Sequence, residues 1–192
     1  MKKAIVLSAL SLCLFACEKE EEQVDVITYA TLQVQAVADG EGGEIALTSA
    51  ACVSDPDSGL FTAEFTGPDG STLSMKIKGW TTSSDSYTCS QASDNTSGEV
   101  GNKFDTCSVE VSIPDPGSSV NTYAMHRGTT DVKDFEYTGS CTITTTYMEP
   151  QVQGSIDCDG LVQTQLQGAP RNPIDNSVTA AITTGSSFSC DL

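Results

Sequence analysis

The stretch that decides the fold class runs from residue 61 to residue 78 and reads FTAEFTGPDGSTLSMKIK. Apolar and polar side chains alternate in its first part, Phe61–Phe65, and again in its last part, Leu73–Lys78. This period of two is typical of a β-strand with one buried face. The intervening Gly67-Pro68-Asp69-Gly70 carries the residues that a tight turn requires. The stretch therefore predicts a β-hairpin. The residues expected on its buried face are Phe61, Phe65, Met75 and Ile77.

The same alternation recurs outward along the chain in both directions. Cys107–Ile113 repeats it, which places Cys107 inward, and Pro114 is expected to end that strand. Beyond the N-terminal segment, no stretch of twelve residues has a helical period. Short strands separated by Asp-Gly, Gly-Gly or Pro turns predict one all-β, antiparallel domain that forms a β-sandwich or a barrel-like fold. The further predicted strands are Thr31–Ala38, Glu44–Cys52, Phe135–Thr146, Val152–Asp157, Leu161–Leu166 and Val178–Thr183.

Cysteine usage predicts that disulfides staple this domain. The chain has 8 cysteines and one histidine, and no C-x-x-C pair, so disulfides are favoured over a metal site. Six cysteines could form three bridges in fifteen ways. A Cys89–Cys107 bridge would close a loop of about 19 residues and contribute about 3 kcal/mol, and it is the pairing that we favour. The six cysteines are Cys52, Cys89, Cys107, Cys141, Cys158 and Cys190.

The first 17 residues, MKKAIVLSALSLCLFAC, have the layout of a secretory signal peptide. Two lysines precede an apolar run, Ala4–Phe15, which is shorter than the about 20 residues that a transmembrane helix needs. The ending Leu14-Phe15-Ala16-Cys17 resembles the lipobox of bacterial lipoproteins. That resemblance implies cleavage before Cys17 and a diacylglyceryl thioether on its sulfur. A short transmembrane helix, or a cleaved signal without lipid, is the alternative.

The expected organisation has three parts: residues 1–16 form the signal peptide, 17–23 the lipidated cysteine with an acidic tether, and 24–192 the β-sandwich domain. The tether after Cys17 also resembles the surface-export signal of some Gram-negative lipoproteins. Glu18, where an inner-membrane retention signal has Asp, agrees with outer-membrane sorting. The expected location is therefore the outer membrane of a Gram-negative bacterium, facing the periplasm or the exterior.

Charge excludes one class of partner. The chain has 26 acidic and 9 basic residues and a formal net charge of −17. Because nucleic-acid affinity depends on Lys and Arg that neutralise phosphates, no nucleic-acid partner is expected. Anionic headgroups are repelled in the same way, so the lipid on Cys17 is the predicted attachment to the membrane.

Catalytic motifs are missing from the sequence. His126 is the only histidine and lies in a polar stretch, and no G-x-S-x-G elbow or phosphate-binding glycine loop is present. We therefore expect neither an enzyme nor a cofactor. Two long loops are predicted, at Ser90–Lys103 and Pro114–Asp134, and the second contains His126.

Two acidic pairs and one tryptophan are candidates for binding. Asp55 with Asp57, and Asp157 with Asp159, could each contribute oxygen ligands to calcium. Asp, Pro, Ser and Gly are also ordinary turn residues, and the turn interpretation is favoured for both pairs. Trp80 either projects into solvent as a partner anchor or covers the edge of the core, and we favour the core.

The sequence thus predicts a lipid-anchored envelope or cell-surface protein with a non-catalytic binding or structural role, and a protein or glycan as its partner. A calcium- or glycan-binding surface module is the alternative, and a secreted hydrolase is a third reading.

Overall fold

A computed structural model describes residues 29–36, 42–89, 106–114, 120–124, 139–164 and 173–192. These residues form twelve β-strands joined by antiparallel pairing, with no helix among them, which confirms the predicted all-β class. The strands are β1 Ala30–Ala36, β2 Gly42–Leu47, β3 Ser49–Asp55, β4 Leu60–Thr66, β5 Thr72–Lys78, β6 Asp85–Cys89, β7 Cys107–Pro114, β8 Val120–Ala124, β9 Ser140–Met148, β10 Gln151–Thr164, β11 Pro173–Ile182 and β12 Ser187–Asp191.

The predicted hairpin is formed by β4 and β5. Their register sets Phe61 opposite Ile77 and Ala63 opposite Met75. The four residues predicted on the buried face are all at most 1% exposed: Phe61, Phe65, Met75 and Ile77. The turn is held by Asp69, whose carboxylate accepts hydrogen bonds from the N–H and the hydroxyl of Ser71, both at 2.9 Å. The alternation of apolar and polar residues and the residues of the turn therefore both stabilise this hairpin, as the sequence indicated.

Strand β10 is the longest strand and the point where the sheet divides. On one side it pairs with β9 over Gln151–Asp159 and then with β8 over Val162–Thr164. The change follows Gly160, which has φ +68°. At that point Gly139 packs closely on the backbone of Gly160. A side chain at position 139 would collide with this backbone. Because β8 and β9 diverge from one strand, β10 is the strand at which the two layers connect.

Strands β11 and β12 behave as one interrupted strand, since both run antiparallel to β1 and to β10. Ile182 lies opposite Val34 and Ser187 opposite Thr31, so four residues on one strand face two on the other. The buried Ser186 fills the resulting bulge. Its hydroxyl accepts the N–H of Gln33 at 2.9 Å and donates to the Thr183 carbonyl at 2.8 Å. A side chain thus replaces the ladder bonds that the bulge removes.

The two layers pack face to face as a sandwich. One contains β3-β4-β5-β7-β8, and the other contains β2-β1-β11/β12-β10-β9-β6. Phe65 of the first layer contacts Phe188 of the second with ring centroids 6.0 Å apart. The disulfides Cys52–Cys190 and Cys89–Cys107 also cross between the layers.

Several predicted strand boundaries were wrong. The predicted strand Glu44–Cys52 is two strands, because the chain passes from one layer to the other at Thr48, whose N–H donates to the Thr66 carbonyl at 3.0 Å. The predicted strand Val152–Asp157 and the described part, residues 161–164, of the predicted strand Leu161–Leu166 belong to the continuous β10. Strands β6, β8 and β12 were missed, and β8 lies within the predicted loop Pro114–Asp134.

The first and last strands lie side by side at one end of the sandwich. Ala30 of β1 pairs with Phe188 of β12, and the N–H of Leu192 donates to the Pro150 carbonyl in the β9–β10 turn. The opposite end carries Cys89 and Cys141, which face each other where β6 ends and β9 begins. We call these the terminal end and the far end.

Candidate functional site

The six domain cysteines form three disulfides. The predicted Cys89–Cys107 bridge is present, with Cα atoms 4.6 Å apart, and Cys107 faces inward as expected. Cys52 pairs with Cys190 across 138 residues. Cys141 pairs with Cys158, which lies directly opposite on the neighbouring strand. These two further pairings were among the connectivities that spacing could not separate.

Two of the bridges lie beside each other at the far end. Cys89, Cys141 and Cys158 are in register on β6, β9 and β10 and point into the core. Each of the three is at most 2% exposed. Reactive cysteines are partly exposed and lie in electropositive surroundings, whereas these are enclosed by apolar side chains. They act as structural staples.

The first acidic pair contains a turn carboxylate. Asp55 accepts the Ser58 hydroxyl at 2.6 Å and the Ser58 N–H at 3.1 Å. These bonds hold the pKa of the Asp55 carboxyl below its ordinary value. Gly59, with φ +65°, then returns the chain into β4. Both Asp55 oxygens stabilise the β3–β4 turn, so the turn interpretation is confirmed for Asp55 and Asp57.

The turn interpretation is wrong for the second acidic pair. Asp157 and Asp159 lie within β10, where they flank the buried Cys158 and point outward, opposite Thr142 and Ser140. The alternation of β10 continues through them, and Gly160 bends the strand without ending it. Within the described ranges, no group of three or more His, Cys, Asp or Glu residues is placed to hold a metal ion.

Trp80 covers the edge of the core, which confirms the favoured interpretation. Its side chain is 1% exposed and packs on Phe61 with ring centroids 4.8 Å apart. Its indole N–H donates to the Ser54 hydroxyl at 2.8 Å. Strict alternation would have put Trp80 outward beside Lys76, but β5 ends at Lys78 and Gly79 turns the chain with φ +72°.

Tyr87 continues this aromatic cluster on β6, 6.3 Å from Trp80 between ring centroids. Burial raises the pKa of the Tyr87 hydroxyl, and the nearby charge of Asp85 adds to that effect. A neutral phenol enclosed in this way contributes to packing.

Sequence reasoning missed an exposed surface on the outside of β3, β4 and β5. Val53 is 62% exposed there, and a shallow depression of about 300 Å³ lies beside it. Ala51 and Val53 alternate with the inward Cys52, so the orientation of Cys52 is the signal that could have placed them outside. The side chains around the depression include Ala51, Val53, Thr62, Glu64, Ser74 and Lys76.

Several predicted features lie outside the described residues: Cys17, His126, the tether, the loop Ser90–Lys103 and most of the loop Pro114–Asp134. In the part of the chain that the structure does describe, no helix is long and apolar enough to cross a membrane.

Comparison with protein-family models, with curated proteins and with solved structures found no match to this chain. Within the described residues, the arrangement provides a rigid, stapled sandwich that presents surfaces and strand edges.

Proposed function

We propose that this protein is a lipid-anchored component of the bacterial cell envelope whose β-sandwich has a non-catalytic binding or structural role. The observation that carries the proposal is the use of the cysteines. The three disulfides use all six cysteines of the domain, so none of these six is left as a disulfide partner for Cys17. A cysteine at that position, at the end of a signal peptide, matches an acceptor for lipid.

The chemistry of the domain supports the same setting. Disulfides form and persist outside the reducing cytosol, so three of them suit an exported protein. The net charge of −17 is unsuited to electrostatic attachment to anionic headgroups, which makes the acyl chains the means of attachment. The sandwich then supplies a rigid base from which loops and edges meet a partner.

The lipid anchor is tested by Cys17→Ala in the full chain, with fractionation of cells into membrane and soluble material. We expect the variant to leave the membrane fraction, because the sulfur that carries the lipid is gone. Cys13→Ala is the matched control, because Cys13 is removed with the signal and its loss should change nothing. A Cys17→Ala protein that stays in the membrane with its signal removed would contradict the proposal.

The side of the membrane is tested by adding protease to intact cells and to lysed cells, followed by immunoblotting. Digestion in intact cells identifies a surface protein and directs attention to adhesion or partner capture. Protection until lysis identifies a periplasmic protein and favours a role in envelope structure. Both outcomes are compatible with the anchor, which the cysteine variants test separately.

A further inference from the structure

The described strands leave three edges without a neighbouring strand: β2, β3 and β6. Free edges carry unpaired N–H and C=O groups and invite pairing with another chain, so natural proteins usually protect them. β2 contains Gly42 and Gly43, with φ of +113° and +111°, and exposes Glu44. β6 has five residues and begins with Asp85. Distortion, charge or shortness protects these two edges.

Strand β3 is the least protected of the three, because it lacks distortion and shortness and its one charged residue, Asp55, lies at its end. It pairs with β4 over seven residues without a register shift, and it contains no lysine, proline or glycine. Its exposed side chains near the centre are Ala51 and Val53, and Val53 is 62% exposed. The Cys52–Cys190 bridge fixes β3 from its inner face, and no described strand pairs with its outer edge. The edge is therefore regular in register, apolar at its centre and tied to the other layer by a disulfide.

We propose that β3 is a self-association edge, at which a second copy of this chain adds its own β3 in antiparallel orientation. A two-fold axis at Cys52 sets Ala51 opposite Val53 of the second copy, and Ser49 opposite Asp55 of the second copy. Each cross-strand pair of side chains in this register is apolar or contains a hydroxyl group, and no pair has more than one charged member. Like charges do not meet, which is the condition for a stable cross-strand pair.

Net charge opposes the association of two copies and limits the surfaces at which they can meet. Two chains that each carry −17 repel one another, so contact requires a surface poor in carboxylates. β3 has one acidic residue, Asp55, which lies at its end. Closed two-fold pairing uses the same patch on both copies and is the commonest symmetry of protein oligomers.

The area buried by pairing of two β3 strands determines whether pairing occurs in free domains or only on a membrane. A seven-residue strand pair buries less than the about 1,000 Å² of a stable interface, so isolated domains associate weakly. Confinement on one membrane raises the local concentration and strengthens a weak contact without new interactions. The strength of this pairing therefore rests on the proposed anchor, which the fractionation of Cys17→Ala tests separately, whereas the pairing surface is β3 alone.

The test is photo-crosslinking of the full chain in the cells that produce it. A benzophenone amino acid replaces Glu64, which is exposed and lies opposite Ala51 on β4. We expect an adduct of two copies. The same probe at Thr144, which is exposed on the other layer, is the matched control and should give none.

Two double variants then test the register. Ala51→Lys with Val53→Lys sets lysines opposite each other twice, and we expect roughly a tenfold loss of the adduct. Ala51→Lys with Val53→Glu sets lysine opposite glutamate twice and should restore it. Non-reducing electrophoresis verifies that both variants keep three disulfides. A wild-type adduct only with other proteins, no adduct, or equal behaviour of the two double variants would overturn the proposal.

Discussion

A buried indole N–H needs an acceptor, and in this protein Ser54 provides one for Trp80. The bond joins β3 to the segment after β5, and Phe61 lies on the same indole. Trp80 thereby closes the core at the edge of the sandwich and also holds the β3–β4 hairpin in place.

This bond predicts a non-additive pair of substitutions. Ser54→Ala should lower the free energy of unfolding by about 1–2 kcal/mol, because it leaves a buried donor unpaired. In a Trp80→Phe background the same substitution should cost less than about 0.5 kcal/mol, because the donor is absent. Urea denaturation of the four proteins measures this cycle, and equal costs in both backgrounds would contradict the role of the bond.

Asp55 predicts a pH effect. Because hydrogen bonds from Ser58 lower the pKa of Asp55 in the folded state, the ionised carboxylate favours folding. That contribution is complete above the pKa of the unfolded chain and is lost as the pH falls through the lower folded pKa. Carboxyl NMR titration should place the Asp55 midpoint below its ordinary value, and Ser58→Ala should move it upward. Ser155→Ala, exposed on β10 in the other layer, is the control, and an unmoved midpoint in Ser58→Ala would contradict the assignment.

At the scale of elements, the bulge between β11 and β12 depends on Ser186. Ser186→Ala should lower the free energy of unfolding by about 1–3 kcal/mol, because the Gln33 N–H loses its acceptor inside the sheet. Ser187→Ala, next in the chain but exposed, should change it by less than about 0.5 kcal/mol. Thermal unfolding of the two variants compares them directly. Similar losses from both would mean that the hydroxyl of Ser186 does not hold the bulge.

The elements differ in how far the sequence could predict them. The β4–β5 hairpin was predictable because alternation and turn residues coincide within 18 residues. Among the side chains that the structure describes in β8, VNTYA, Tyr123 is the only large buried one. β8 is a strand because it pairs with β7 and β10, and β10 is distant in the sequence. The break at Thr48 depends on which layer each half joins, and local sequence does not encode that choice. In both cases the secondary structure is determined by the strands with which the segment pairs.

The candidate site divides in the same way. The Cys89–Cys107 bridge spans 18 residues, and loop closure favours such short spans. The Cys52–Cys190 bridge spans 138 residues and exists because two layers stack, which spacing alone cannot indicate. The open edge at β3 likewise follows from sheet order, which appears only once all the strands are placed.

At the scale of the molecule, the three disulfides should contribute unequally. In the chain-entropy model, removal of Cys52–Cys190 by paired alanine substitution costs roughly 5 kcal/mol, whereas removal of Cys89–Cys107 or Cys141–Cys158 costs about 3 kcal/mol each. Guanidinium denaturation of the three double variants ranks them, and the short-span pairs serve as controls for each other. A Cys52–Cys190 variant at least as stable as the other two would refute the ranking.

The adjacency of β1 and β12 has a consequence for imaging and protein engineering. Because Ala30 lies beside Phe188 and Leu192 bonds to the β9–β10 turn, Leu192 lies at the same end of the sandwich as the start of β1. A fluorescent protein fused after Leu192 would sit next to the start of β1, and the far end would remain unobstructed. With the lipid anchor that we propose, a label on the far end, at Ser140 for example, would instead report the height of the sandwich above the membrane.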